Sequence, residues 1–164
     1  QKKAWQCTMA ASKRKNKEIK QAYQPKEKEV RQRKNPDKYY NLHPAWNFSS
    51  CDPVKWSVNS KELHDCFWSE VFPRMQDWEK SVWKDIFLDA KKQNHSLEVG
   101  NLSAEAIKRA GQLYIEPDGI LSLRLQGTHR IYGYIEDGIF NIVWFDLNHG
   151  DNDECVCRSH KKHT

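Results

Sequence analysis

The 164-residue sequence lacks several features that would assign it to common classes of protein. It has no run of about 18 apolar residues, the length that a membrane-spanning helix requires. Its first residues contain no apolar signal-peptide core. Glycine is scarce, at 7 residues, and neither G-x-S-x-G nor G-x4-G-K-[ST] occurs. These absences exclude a serine hydrolase of the nucleophile-elbow type and a P-loop nucleotide-binding protein.

Cysteine is present, but not in the pattern of a disulfide scaffold. The count is odd and the spacing is irregular: Cys7, Cys51, Cys66, Cys155 and Cys157. With no secretion signal, this predicts reduced thiols and a cytoplasmic location. Cys155-x-Cys157-x2-His160-x2-His163 offers four zinc-type ligands, yet the spacing matches no common zinc motif. We therefore expect no metal and no cofactor, and the thiols are then incidental to a terminal tail.

Positive charge is concentrated at the N-terminus. Residues 1–38 contain 13 basic and 4 acidic residues, a balance of +9, whereas the whole chain has 27 and 22. We predict a flexible basic arm and linker over residues 1–44 and a folded domain over residues 45–164. The basic side chains that we expect to contact RNA phosphates are Lys13, Arg14, Lys15, Arg31, Arg33 and Lys34. The alternatives are a solubilising tail and a segment that docks on the acidic domain.

Three consecutive antiparallel strands are predicted between Ile120 and His149. Apolar and polar residues alternate with period two, which is typical of half-buried strands. Asp137-Gly138 favours a two-residue type I′ turn between the second and third strands. That turn sets a register in which Ile135 lies opposite Phe140 and Ile131 lies opposite Trp144.

The register predicts one apolar and one polar face of the sheet. The apolar face carries Leu121, Leu123, Leu125, Ile131, Ile135, Phe140, Ile142 and Trp144. The other face carries Arg124, Arg130, Tyr132, Tyr134 and Asn141, beside Val143 and Phe145. One interpretation is a solvated face with ordinary cross-strand pairs. The other is an RNA-binding surface, because arginine binds phosphate and tyrosine stacks on bases.

Helical spacing of apolar residues predicts the rest of an α+β domain. Ser60 and Ser103 are expected N-caps, and Pro73 is expected to end or kink a helix before Asp77 caps the next. Trp46 and Phe48 suggest a first strand. We read the tryptophans as core residues, because aromatic side chains bury large areas. We expect a small antiparallel sheet with helices packed on one face, and we expect the opposite face to be the functional surface.

The order of these pieces resembles the RelE/ParE toxin superfamily. The segments LRLQGTHRIYGY, GIFNIVWFDLNH and the terminal KKHT are similar to a long-chain branch of RelE-like toxins, over roughly residues 46–164. The resemblance implies a RelE-like fold and the toxin of a type II toxin-antitoxin module. Such a toxin would be a metal-independent endoribonuclease, an mRNA interferase that cuts mRNA, free or on the ribosome, and blocks translation. Its expected partners are mRNA, the ribosome and a cognate antitoxin.

Metal-independent cleavage requires groups that move protons and cations that stabilise the phosphorane. Arg124, at the LR position, and Arg130, at the R-I-x-Y position, are the expected phosphate clamps. Tyr132, His149 and His163 are the other candidate catalytic residues, since histidine titrates near neutral pH. Tyr134, Lys161 and Lys162 are further candidates for contacts with RNA.

Several alternatives stay open. His149 could cap a strand end through backbone hydrogen bonds. Asp146 could form a structural salt bridge with Arg130, and that arginine would then not be available to bind phosphate. His43, His64, His95 and His129 receive no role. Two other functions also fit the sequence: a non-catalytic ParE-like toxin that binds a protein such as gyrase, and a basic module that binds nucleic acid through its arm.

Overall fold

The computed structural model describes residues 38–88, 93–150 and 154–158, all within one of the two units of the chain, residues 31–164. The elements are β1 (Ala45–Asn47), α1 (Lys61–Cys66), α2 (Phe72–Glu79), α3 (Trp83–Leu88), β2 (His95–Ser96), α4 (Ala104–Gln112), β3 (Leu121–Arg124), β4 (Arg130–Glu136) and β5 (Ile139–Asp146). The five strands form one mixed sheet in the order β1-β5-β4-β3-β2. β1 runs parallel to β5, and the other neighbours are antiparallel. The predicted α+β class is confirmed.

The turn between β4 and β5 forms as its sequence requires. Asp137 and Gly138 both have positive φ, 51° and 85°, and Ile135 pairs with Phe140. The Gly138 carbonyl accepts a hydrogen bond from Trp83 Nε1 at 2.8 Å. A Cβ at Gly138 would lie 2.6 Å from Leu42 Cδ1. The turn therefore needs glycine for its backbone conformation, whereas the contact with the end of the exposed Leu42 side chain could be relieved by a small movement of that side chain.

A β-bulge changes the register in the second half of this hairpin. The shift lies between Tyr132 and Gly133, so that Tyr132 pairs with Trp144 and Ile131 with Phe145. The predicted pairing of Ile131 with Trp144 is therefore wrong. Because one extra residue inverts the side chains beyond it, Trp144 joins the polar face and Phe145 the apolar face.

The apolar face packs against a helical layer. Ser60 caps α1 by accepting from Leu63 N at 3.2 Å, as predicted. A π-helical turn (Phe67–Val71) connects α1 to α2, and Pro73 lies in the first turn of α2. Proline lacks an amide donor, and here it directly follows the π-helical turn, where the regular α-helical hydrogen-bond pattern is already interrupted. The helical path continues to Glu79, so Pro73 does not end it, although the π-helical turn directly before Pro73 interrupts its regular α-helical geometry. The prediction that Asp77 caps the next helix is wrong, because Asp77 lies inside α2.

The core on this side, the first cluster, is entirely apolar. It contains Leu63, Val71, Met75, Trp78, Trp83, Ile86, Leu123, Leu125, Ile131, Phe140, Ile142 and Phe145. Among the tryptophans that the structure describes, Trp68 departs from the expected burial, since 73 % of its surface is exposed. It lies on the outer side of the helical segment, against the rings of Phe67 and Phe72.

The polar face is covered as well, which corrects the expectation that helices pack on one face only. α4, capped by Ser103 as predicted, packs on it through Ala106 and Ala110. The second cluster comprises Leu97, Leu102, Ala106, Ala110, Ile120, Tyr132, Val143, Trp144 and Val156. Small residues allow a helix to approach a sheet that carries large aromatic side chains. Tyr132 and Trp144 are consequently fully buried.

Residues 38–44, assigned to the linker from the sequence, contact the domain in this structure. Tyr39 and Tyr40 pack against the first cluster, and the carbonyls of Tyr40 and Leu42 accept from Lys84 N and Trp83 N at 2.8 and 3.0 Å. Within the described ranges, the helices are too short and too polar to cross a membrane.

Candidate functional site

Two rows of side chains cross the second face of the sheet. One row is His95, Ser122, Tyr132 and Trp144, and the other is Arg124, Arg130 and Asp146. Residues that are directly paired on neighbouring strands project from the same side of a sheet. Arg124, Arg130, Tyr132 and Tyr134 therefore lie opposite Leu123, Ile131 and Ile135, as predicted, although much of that face is closed.

Arg124 and Arg130 form a pair of like charges on adjacent strands. Burial, and then the charge of Arg124, lower the pKa of Arg130. Arg130 Nη1 donates to the carbonyls of Gly127 and His129 at 3.0 and 2.9 Å. Within the described part of the chain, the Arg124 side chain has no hydrogen bond or ion pair of its own. Two neighbouring guanidinium groups favour an anion that both can bind.

Asp146 does not pair with Arg130 in a salt bridge. Its buried carboxylate accepts from Asn148 N at 3.0 Å and Val156 N at 2.9 Å, and burial raises its pKa. Arg130 uses its guanidinium on the turn carbonyls instead. Asp146 thus positions the chain after β5 and forms no ion pair with Arg130.

His149 follows β5 by three residues and is held against the sheet. Thr128 Oγ1 donates to the Leu147 carbonyl at 2.8 Å, and His149 N donates to the Thr128 carbonyl at 3.3 Å. The ring is engaged separately, because its Nδ1 lies 2.9 Å from the Tyr132 hydroxyl. His149 therefore does more than cap a strand end through its backbone.

Tyr132 links His149 to the C-terminal segment. Its hydroxyl lies 3.3 Å from Cys157 Sγ. Burial raises the pKa of Tyr132 and, separately, of Cys157, so both groups keep their protons near neutral pH. When the Tyr132 hydroxyl donates to His149 Nδ1, the proton of a neutral imidazole lies on Nε2.

His95 and His149 have altered ionisation for the same reasons. Partial desolvation first, and then the charge of Arg130, lower the pKa of each ring from 6.5, although the His95 residue as a whole is exposed. The charge of His95 also contributes to the lowered pKa of His149. Both rings are therefore neutral at pH 7 in the free protein, and a bound anion would favour their protonation.

A cavity of about 350 Å³ opens beside these groups. Its lining residues are His95, Leu97, Asn101, His149, Gly150, Cys155, Cys157 and Arg158. The volume is at the lower end of the range for small-ligand sites. Both imidazoles lie in its wall, together with Arg158, a third arginine of this region.

The cavity wall is assembled by contacts far apart in sequence. Ser103 N donates to the Val156 carbonyl and Arg158 N to the Asn101 carbonyl, each at 2.8 Å. Leu102 and Cys157 form an antiparallel bridge. The segment 154–158 is thereby fixed beside the start of α4.

A buried ion pair holds α4 itself in place. Arg109 Nε donates to Asp52 Oδ2 at 2.7 Å, and Trp144 Nε1 donates to the same oxygen at 3.2 Å. Burial alone would raise the pKa of Asp52, but hydrogen bonds from Arg109, the backbone and Trp144 lower it. Asp52 is fully buried, so this pair fixes the helix to the sheet beside the site.

Four of the predicted catalytic residues come together: Arg124, Arg130, Tyr132 and His149. Tyr134 lies farther along β4, with its hydroxyl 3.3 Å from Ser50 Oγ and its ring in the second cluster. The remaining predicted residues lie outside the described ranges: Lys13, Arg14, Lys15, Arg31, Arg33, Lys34, Lys161, Lys162 and His163.

Sequence reasoning missed His95 and the link from Tyr132 to Cys157. β2 has two residues, so alternation could not reveal it, and only its pairing with β3 brings His95 into the row.

No family model, curated protein or solved structure matches this chain. The resemblance to RelE-like toxins remains a prediction from the sequence.

Proposed function

We propose that the protein is a metal-independent endoribonuclease that binds RNA at the arginine pair and the adjoining cavity. The observation that carries this proposal is the convergence of two neutral histidines with two arginines on one side of the sheet. Cleavage by the RNA's own 2′-hydroxyl requires a base, an acid and cations around the phosphorane. This group of side chains supplies all three.

The geometry supports a division of roles. Arg124 and Arg130 would bind the scissile phosphate and stabilise the charge that develops on it. One neutral histidine would take the proton of the 2′-hydroxyl, which then attacks the phosphorus. The other, protonated beside the bound phosphate, would give its proton to the departing 5′-oxygen. Tyr132 would act through His149, because its hydroxyl fixes the orientation of that ring.

The biological setting is proposed from the family resemblance. The chain would be the toxin of a toxin-antitoxin module in the cytoplasm, cutting mRNA, alone or on the ribosome, until a cognate antitoxin binds it. The basic arm would add affinity without selecting the cleavage position, since phosphate contacts position a protein while base contacts specify a sequence.

The test uses the purified full chain and a labelled oligoribonucleotide. We expect cleavage in the presence of a chelator, a 2′,3′-cyclic phosphate on the upstream product, and no cleavage where the attacked nucleotide is 2′-deoxy. Cleavage that persists in the 2′-deoxy substrate, or that stops with the chelator also in the Cys66→Ser chain, would contradict the mechanism. Binding without cleavage would leave an RNA-binding module, and inhibition of gyrase without effect on RNA would favour the ParE-like alternative.

Arg124→Ala is the informative variant, because this side chain has no bonding role in the described part of the fold. We expect the cleavage rate to fall on the order of 10²- to 10³-fold and growth arrest on induced expression to be lost. Arg130→Ala should do the same, but it also removes bonds to the turn carbonyls. Lys84→Ala, which removes an exposed positive charge from α3, is the matched control and should cut at the parental rate.

The arm has its own test. A chain that starts near Tyr39 should bind RNA more weakly and with a flatter salt dependence, by about 0.7 in log-log slope for each phosphate that the arm no longer neutralises. The cleavage positions should stay the same. If truncation leaves the salt slope unchanged and alters antitoxin binding or thermal stability, the arm has a different role.

A further inference from the structure

Three potential metal ligands converge where the helical layer meets the β3–β4 turn. They are Cys66 at the end of α1, Glu70 in the π-helical turn, and His129 in the β3–β4 turn. The thiol sulfur, a carboxylate oxygen and an imidazole nitrogen all lie within 4.8 Å of one another. None of the three belongs to the row of histidines and arginines described above.

Local structure explains why these side chains meet. Cys66 and Glu70 are four residues apart, so they project from one side of the helical path. The π-helical turn begins directly after Cys66, and such insertions are frequent at functional sites. His129 is held on a tight turn, where its amide donates to the Gln126 carbonyl at 2.8 Å and its carbonyl accepts from Leu125 N at 3.0 Å.

His129 presents a nitrogen that the protein itself leaves unsatisfied. Its Nδ1 is shielded from solvent and has no hydrogen-bond partner, although it lies 2.9 Å from Glu70 Oε2. The distance is that of an ion pair, but the direction is not that of a hydrogen bond. Buried polar atoms are normally bonded, and a nitrogen and a carboxylate oxygen side by side without such a bond can both face a shared cation.

We propose that Cys66, Glu70 and His129 form a binding site for a divalent transition-metal ion of the zinc type. Thiolate, imidazole and carboxylate are the ligands that this borderline-soft ion takes. Bonds of about 2.0 to 2.3 Å in tetrahedral geometry place ligand atoms about 3.5 Å apart, so adjustments of about 1 Å would close the site. The side chains of Glu70 and His129 are 31 % and 24 % exposed, which leaves room for water as the fourth ligand.

The site would join the helical layer to the turn that orients Arg130. The His129 carbonyl accepts from Arg130 Nη1, so a metal bound to His129 would restrain the turn beside the arginine pair. The inference does not depend on RNA cleavage, because it rests on a different set of side chains. The competing explanation is an ordinary surface ion pair between Glu70 and His129 with an incidental thiol nearby.

The test is a titration of the reduced full chain with Co²⁺, a spectroscopic substitute for zinc. We expect one equivalent to produce the visible bands of a tetrahedral site together with a thiolate-to-cobalt charge-transfer band, and zinc to displace it. Cys66→Ser should abolish the charge-transfer band. Glu70→Gln and His129→Gln should each weaken binding at least tenfold while circular dichroism shows an intact fold.

Other thiols provide the controls. Cys51→Ser removes a partly buried free thiol comparable to Cys66, and the double variant Cys155→Ser, Cys157→Ser removes the other cysteine pair. Both should retain the parental spectrum and affinity. The proposal is overturned if the wild-type chain shows no charge-transfer band, if the band survives in Cys66→Ser, or if the double variant loses it while circular dichroism shows an intact fold.

Discussion

The two faces of the sheet are both buried, yet they contain different chemistry. The first cluster is apolar throughout, and its side chains come from the helical layer, β3, β4 and β5. The second cluster continues into the polar rows, so that Tyr132 is at once a fully buried ring and the hydrogen-bond partner of His149. Polar alternation along a strand therefore does not by itself indicate an open surface.

The difference has an energetic meaning. On the first face every buried side chain stabilises the fold by packing and by removal of apolar surface from water. On the second face, burial also imposes a cost on charged groups, visible in the lowered pKa values of His95, His149 and Arg130. Groups with such altered ionisation are concentrated at functional sites, so substitutions on the two faces should have different consequences.

The largest expected effect concerns the polar rows. His149→Gln should lower RNA cleavage by about 10²- to 10⁴-fold, because a positioned proton-transfer group contributes that much. Initial rates with an oligoribonucleotide measure the loss, and Asn148→Ala, at the exposed neighbouring side chain, serves as the control. If the His149→Gln chain cuts RNA at the parental rate, His149 has no catalytic role and the polar rows serve only the structure.

The second largest effect is expected in the free energy of unfolding, which one substitution on each face of the sheet should lower. Leu123→Ala, at a fully buried position of the first face, should cost about 2 to 5 kcal/mol in free energy of unfolding. Tyr132→Phe, on the second face, keeps the ring and removes the hydroxyl, so we expect a loss of about 1 to 3 kcal/mol from unpaired partners. Urea unfolding measures both. A Tyr132→Phe chain as stable as the parental chain would mean that the buried hydroxyl contributes no net stability on the second face.

The dependence of stability on pH should come from the second face. The pKa of His95 and of His149 is lowered from 6.5 in the folded chain, by burial and then by Arg130. As pH falls below about 6.5, the unfolded chain binds protons that the folded chain does not, so the free energy of unfolding decreases.

The raised pKa of Asp146 acts in the opposite direction, because its contribution is present at low pH and is lost as pH rises through the folded value. A His95→Gln, His149→Gln variant separates the two effects. The decrease in stability between pH 7 and pH 5 should be smaller in this variant than in the parental chain. The same decrease in both chains would show that the two histidines do not cause it.

The smallest effect is expected at the outer surface of the helical layer. Trp68→Ser should change the free energy of unfolding by no more than about 0.5 kcal/mol, as is usual for exposed positions. Trp68 is 73 % exposed, whereas Trp78, its neighbour in the same helical path, is 4 % exposed. Trp78→Ser is the comparison and should be strongly destabilising in the same urea experiment. A large loss of unfolding free energy for Trp68→Ser would show that its ring contacts with Phe67 and Phe72 stabilise the fold.

Local sequence determined the parts of this protein that depend on a few neighbouring residues. The Asp137-Gly138 turn, the N-caps at Ser60 and Ser103 and the alternation of β3 and β4 were all predictable. Each is set by the backbone angles or hydrogen bonds of adjacent residues. These features were sufficient to predict an α+β domain and to put Arg124, Arg130 and Tyr132 on one face.

Tertiary structure decided what depends on contacts between distant residues. The bulge before Trp144 lies in a continuous apolar run, where either register buries apolar side chains, so no periodicity could reveal it. β2 exists only through its pairing with β3. Closure of the second face depends on α4 and on the Asp52–Arg109 pair. His95 and His149 line one cavity, and His129 lies beside Cys66 and Glu70, because long-range packing brings together segments whose local sequence does not specify their partners.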